Sequence, residues 1–356
     1  MRLLIASGSK GKLFHFKEFR EALIKLEVEC KLVIDTDYSN GFPSKKISDW
    51  FFGRKKFNRL IKEFKPDAIF VDRQSHFGSH AIDAKIPLFV LLRGHYWSEI
   101  EWAKKTIYKD PLMRLVVWFR NKIAEKCFRE ATGIFPICEW LVKIVKEHHP
   151  SQSTHVFLEG IDAAKWHVDN GMQLKHPNIG ILQSANWWGK TKEMMILPKV
   201  LEFFPNVTFY WVGDGQYTEK VISVLNKYKN FIHIGSLDYP DKVKEYLSDI
   251  DIYVLISGMD LAPLTLKEAQ LMEKPVIATD VGGVSEMMQD KKTGFLVKEG
   301  DHSDLIQKIS LLLNDKELAE RMGKAGRQFV FDTFSWECVA KKFLENIKVE
   351  LQKTNI

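Results

Sequence analysis

No stretch in the 356 residues reaches the roughly eighteen consecutive apolar positions that a membrane-spanning helix requires. The opening segment, Met1 to Lys12, has too short an apolar core for a signal peptide, so the chain is expected in the cytoplasm. Cysteine is scarce. The four present, Cys30, Cys127, Cys138 and Cys338, show neither disulfide nor metal-ligand spacing, which suits a reducing compartment. Low-complexity segments and short-period repeats are absent. No nucleic-acid-binding motif appears, and no carboxylates cluster as a cation site would need, so neither nucleic acid nor a metal is an expected partner.

What is present reads as an ordinary soluble composition, 45% hydrophobic and 28% charged, in a chain long enough for two domains. The net charge of +6 conceals an uneven distribution. Residues 1–170 hold 29 Lys and Arg against 21 Asp and Glu, a surplus of eight; the remainder holds 23 against 25. The first half therefore expects an anionic partner, and it carries two stretches that interleave aromatics with cations, Trp50 to Phe57 and Trp102 to Lys122. Such composition suits the surface of an anionic membrane, which would place the protein peripherally on the inner face. For the second stretch a plain amphipathic helix, with Leu112, Leu115, Val116 and Phe119 in a core, stands beside that reading.

Short apolar runs alternate with helical segments along the whole chain. Strands are expected at Arg2 to Ala6, Lys31 to Asp35, Ala68 to Asp72, Leu88 to Leu92, Ile134 to Ile137 and His155 to Leu158. After a polar segment from Ala164 to Pro177 the pattern restarts with Ile179 to Gln183 and Thr208 to Val212. This order implies an α/β fold with parallel sheets, one domain over 1–165 and another over 178–335. Ser7 to Lys12 is a glycine-containing turn after the first strand, a device for approaching phosphate, though it fits neither the P-loop nor the dinucleotide fingerprint.

The most informative stretch runs from Ser257 to Glu286. A β-branched strand, Ile252 to Ile256, is broken by Ser257, Gly258 and Asp260, and Pro263 then suits the first turn of a helix. The amides of Leu264 and Thr265 lack intrahelical partners there, which makes the helix start an anion site. Glu268, one turn on, can point back toward it.

Asp260 and Glu268 followed by Lys274 to Glu286 resemble the nucleotide-sugar site of retaining glycosyltransferases of family four. The resemblance implies the GT-B architecture, two Rossmann-like domains with parallel sheets facing across a cleft, and a last helix, 336–356, crossing back to the first domain. It implies transfer of a sugar from a nucleoside diphosphate sugar to an acceptor hydroxyl, in glycan biosynthesis, without metal or cofactor. Glu268 would bond the ribose, Asp260, where Glu is usual, the sugar hydroxyls, and Lys190 the diphosphate together with the amides of Leu264 and Thr265. Gln183 and Ser184 stand where the family has an arginine. Leu237, after the strand Phe231 to Ile234, would lie near the nucleobase. In the acceptor-binding first domain, His95 would bond donor sugar or phosphate, and Gly8 and Gly11 would line the site. A glycan or lipid-linked acceptor fits the basic half. The alternative, prompted by Asp260 and the missing arginine, is an idle GT-B protein that binds a nucleotide sugar or partners an active subunit. Trp187 and Trp188, atypical there, either stack on an acceptor or pack a wall.

Overall fold

The computed structural model describes residues 1–8, 10–44, 48, 50, 53–168 and 170–354. It divides into two compact units, Met1–Ile161 with Trp336–Ile356, and Asp162–Ser335.

The first unit holds five parallel strands, β1 (Arg2–Ser7), β2 (Glu29–Ile34), β3 (Ala68–Val71), β4 (Leu88–Leu92) and β5 (Gly133–Pro136), in the order β2-β1-β3-β4-β5. β3, β4 and β5 are buried at every position, which is why they read as continuous apolar runs rather than alternating ones. The expected strand from His155 to Leu158 is not a regular one. The segment makes a single bridge, Thr154 to Ile134, and His155 and Phe157 donate their amides to the Ile134 and Pro136 carbonyls at 3.0 and 2.8 Å, so it runs extended beside β5.

The helix Trp336–Thr354 completes this unit's core. The Phe343 ring lies 4.7 Å from Phe70, 5.0 Å from Phe135 and 5.1 Å from Phe19. Trp336 Nε1 donates to Glu18 Oε2 at 2.8 Å, and its ring covers Gly160, where a Cβ would approach to 2.4 Å. A side chain at 160 would therefore lift this helix off its seat.

The second unit holds six parallel strands, β6 (Asn178–Leu182), β7 (Thr208–Val212), β8 (Phe231–Gly235), β9 (Ile252–Leu255), β10 (Val276–Thr279) and β11 (Gly294–Val297), in the order β11-β10-β9-β6-β7-β8. The chain thus builds outward from β6 in one direction, then returns and builds the other way from β9. Each unit is Rossmann-like, and the fold is GT-B. Among the described residues no helix is long and apolar enough to cross a membrane.

Candidate active site

In an open parallel sheet, ligands bind beyond the carboxyl ends of the strands where the strand order reverses. In the second unit that point lies between β6 and β9, which pair through Ile179 with Ile252 and Gly180 with Tyr253. The segments leaving these strands are consequently neighbours. Lys190 sits in the short helix Trp188–Thr191 after β6, and Asp260 in the loop after β9. The Gly258 amide donates to the Lys190 carbonyl at 3.0 Å, and a Cβ on Gly258 would meet the Gly189 carbonyl at 2.5 Å, so the two segments touch backbone to backbone. The Lys190 ammonium donates to Asp260 Oδ2 in an ion pair whose side chains are 23% and 15% exposed. Asp260 Oδ1 accepts from the Leu261 amide at 3.0 Å.

The two glycines at 282 and 283 have a specific task. The Gly283 amide donates to the Asp260 carbonyl at 3.1 Å, and Gly282, at φ +57°, lies so close that a Cβ would stand 2.1 Å from that same carbonyl oxygen. Gly282→Ala is expected to displace Asp260 and to destabilise this unit by about 2 kcal/mol or more, from the left-handed backbone and the clash together. Gly283, at φ −102°, meets no such backbone restriction. Denaturant melts of Gly282→Ala and Gly283→Ala check this, and equal melts would remove the steric argument.

The helix Leu264–Leu271 starts at Pro263, which occupies the cap position rather than the first turn, and no side chain caps the start. The amides of Leu264 and Thr265 are left for a ligand or solvent. Thr265 Oγ1 accepts from the Tyr253 hydroxyl at 2.8 Å, which fixes the first turn to β9. The rest of the helix is buried against Lys316–Phe334, where Gly323 and Gly326 leave room for the Glu273 backbone and the Gln270 side chain. Glu268, on the same helix, is only 1% exposed, not the surface carboxylate that its charge suggests. Burial pushes its carboxyl up to about 7, against the opposing effects of a hydrogen bond from Tyr239 and the Lys267 charge. Its Oε1 has no hydrogen-bond partner. An unpartnered buried carboxylate oxygen one turn from an uncapped helix start is a costly arrangement for a fold alone and a natural acceptor for a hydroxyl donor.

Gln183, directly after β6, is also buried, and neither end of its amide is hydrogen-bonded. The sequence marks it only as the place of a missing arginine; its unpaired amide at the strand end is visible only in the structure. Tyr239, the partner of Glu268, follows the half-buried Leu237 in the loop after β8, and no periodicity marks it. Lys192 pairs instead with Glu299 at 2.9 Å. Trp188 packs under Lys220, whose Nζ is 3.5 Å from the ring centroid, while Trp187 is exposed.

In the first unit the strand order reverses between β1 and β3. Gly8 stands there: its amide donates to Asp72 Oδ2 at 3.2 Å, and a Cβ would lie 2.7 Å from Arg73 Nε. Gly11, in the turn Lys10–Lys12, has nothing within 4 Å of where its Cβ would be and is not part of this contact. Ser9 of the same turn lies outside the described residues. Arg93, directly after β4, bridges Asp72 at 2.8 Å and Glu159 at 2.7 Å, an ionic cluster whose only mark in the sequence is the place of Arg93 after a strand. His95, two residues on, caps the helix Tyr96–Thr106, with Nδ1 accepting from the Ser98 amide at 3.3 Å. Burial holds its pKa below the usual value, so a neutral ring with Nε2–H available to donate is the fitting tautomer. Among the described residues no three of His, Cys, Asp or Glu are grouped to hold a metal ion.

Residues 194–329 match the model of the glycosyl transferases group 1. Sulfoquinovosyl transferase SQD2 of Arabidopsis thaliana is 29% identical over 157 residues, 43% of this chain and 30% of that protein. N-acetyl-alpha-D-glucosaminyl L-malate synthase of Bacillus anthracis is 33% identical over 136 residues, 37% of this chain and 35% of that protein. The matched stretch thus spans about a third of the length of these relatives. Among solved structures, sucrose-phosphate synthase from Thermosynechococcus elongatus superposes with a TM-score of 0.72 at 16% identity, covering 98% of both chains. Anabaena Alr3699/HepE, solved in complex with UDP, gives 0.69 at 15% identity, covering 98% of this chain and all of that one.

Proposed function

The chain belongs through residues 194–329 to the group 1 glycosyl transferases, and we propose that it is a retaining, metal-independent hexosyltransferase of the cytoplasm. It would move a sugar from a nucleoside diphosphate sugar to a hydroxyl of a glycan or lipid-linked acceptor. The observation that carries this reading is Glu268, fully buried with one oxygen unpaired beside the uncapped start of Leu264–Leu271. A ribose hydroxyl donating to that oxygen relieves the burial cost, and the adjacent helix amides take phosphate. The UDP held by the Anabaena protein agrees with a diphosphate of this kind.

In the reaction the bond from the anomeric carbon to the diphosphate oxygen breaks and the acceptor oxygen bonds that carbon on the same face. The acceptor proton passes to the departing phosphate oxygen, so no separate base is needed. Charge grows on the diphosphate as it leaves. The amides of Leu264 and Thr265 and the Lys190 ammonium would meet that charge, which is where preorganised dipoles contribute most. Asp260 would then exchange Lys190 for hydroxyls of the sugar.

Incubating the protein with a panel of nucleoside diphosphate sugars tests the reading. Slow release of free sugar from one donor, unchanged by EDTA, is expected. A donor that raises the melting temperature but is never cleaved would make the chain a binding protein, and a tenfold loss with EDTA would overturn the metal-free site.

A further inference from the structure

We propose that the tip formed by the helices Tyr96–Thr106 and Pro111–Glu130 docks on a bilayer surface bearing anionic phosphate headgroups. The proposal stands independently of the sugar-transfer reaction. Tyr96–Thr106 has no buried residue at all, and every residue from Pro111 to Leu115 is exposed. Leu112 is 75% exposed and Ile107 61%, with Met113, Leu115, Trp102 and Trp118 exposed beside them. Leu112 and Leu115 are thus outside any core. That many large apolar side chains exposed on two neighbouring helices mark an interaction surface rather than ordinary scatter.

The same tip encloses a cavity of about 690 Å³ lined by Lys104, Lys105, Lys109, Arg114, Trp118 and Asn121. Four cations and no carboxylate face it. Lys104 pairs with Glu101 at 2.7 Å, but Lys105, Lys109 and Arg114 make no salt bridge among the described residues. Asn121 accepts from the Tyr96 hydroxyl at 3.0 Å, and Lys122 stands 5.1 Å from the centre of the Trp118 ring, which holds the far wall in place. Cations of this density select a phosphate. The rim decides which kind, because Ile107, Leu112 and Leu115 gain nothing from a soluble anion and gain burial only where acyl chains meet them. In the other aromatic-basic stretch Trp50 is exposed, but Phe57 is fully buried and Arg54 pairs with Asp83 at 3.3 Å; Phe51 and Phe52 lie outside the described residues.

Sedimentation of the full chain with vesicles of phosphatidylcholine, alone or mixed with phosphatidylglycerol, tests the docking. Pelleting on the mixed vesicles at low salt, reversed by added salt, is expected. The triple variant Lys105→Ala, Lys109→Ala, Arg114→Ala should bind about a hundredfold more weakly, at about fivefold for each cation. The double variant Leu112→Ser, Leu115→Ser should lose at least about tenfold. Equal pelleting on neutral and mixed vesicles, none on either, or full binding by either variant overturns the proposal. Loss in the cation variant with full binding by the serine variant would instead indicate a phosphate site that needs no bilayer. Both variants should retain donor hydrolysis, so a chain that cleaves its donor but never pellets refutes the docking alone, and one that pellets but never cleaves refutes the reaction alone.

Discussion

Glu268→Gln should raise the melting temperature of the ligand-free second unit by roughly 8 °C at pH 8 while weakening nucleoside diphosphate sugar binding about ten- to a hundredfold. Both effects come from one buried carboxyl. Burial raises its pKa from the ordinary 4.5 to about 7, so between those values the folded unit holds a proton that the unfolded chain has released. Stability is therefore complete below pH 4.5 and falls as pH rises toward 7 and through it, by about 3 kcal/mol in all. Glutamine keeps an acceptor for the Tyr239 hydroxyl and cannot ionise, which removes that loss at pH 8. At pH 4 the two proteins should melt alike. The same carboxyl must be ionised to receive a ribose hydroxyl strongly, so donor affinity in the parent protein should drop by about tenfold for each pH unit below 7 until it meets that of the glutamine variant. Calorimetric titration across pH checks the binding arm and thermal melts the stability arm. A pH-independent gap in melting, or unchanged donor affinity in a folded variant, would remove Glu268 from the site.

Lys190→Ala should lower turnover by about a hundredfold, with a much smaller change in the Michaelis constant, because the diphosphate carries its greatest charge in the transition state. The ion pair with Asp260 sharpens this expectation. In the ligand-free protein Asp260 competes with any phosphate for the same ammonium, so Asp260→Asn should bind free nucleoside diphosphate more tightly than the parent protein while transferring less sugar. Lys190→Ala should lose transfer without any gain in nucleoside diphosphate binding. Lys192→Ala, whose partner is Glu299, should be close to the parent in both assays. A larger loss from Lys192→Ala than from Lys190→Ala would show that the wrong lysine has been assigned to the diphosphate.

Much of this arrangement is legible along the chain. Period and composition give the alternation of strand and helix and the parallel character of both sheets, because strands covered on both faces must be continuously apolar, as in Phe89 to Leu91 or Val254 to Leu255. Breakers give the loop at Ser257 to Asp260 and the start of the helix at Leu264, because glycine and proline act within one or two residues of where they stand. The sequence thus determined which residues end strands and which begin helices, and that Asp260 and Glu268 belong to one loop-helix unit. It was silent on the ion pair of Lys190 with Asp260, seventy positions apart, since their meeting depends on β6 lying next to β9 in the sheet order. It equally failed to show that Glu268 is buried, because exposure of a helical carboxylate is set by what the fold packs round its helix, here buried at every position from Leu266 to Leu271. Nor could it separate the two aromatic-basic stretches, alike in composition, where Phe57 is buried in the one and Leu112 is exposed in the other. Local stereochemistry is written in neighbouring residues, whereas burial, charge pairing and pKa depend on groups that only the folded topology brings within a few ångströms.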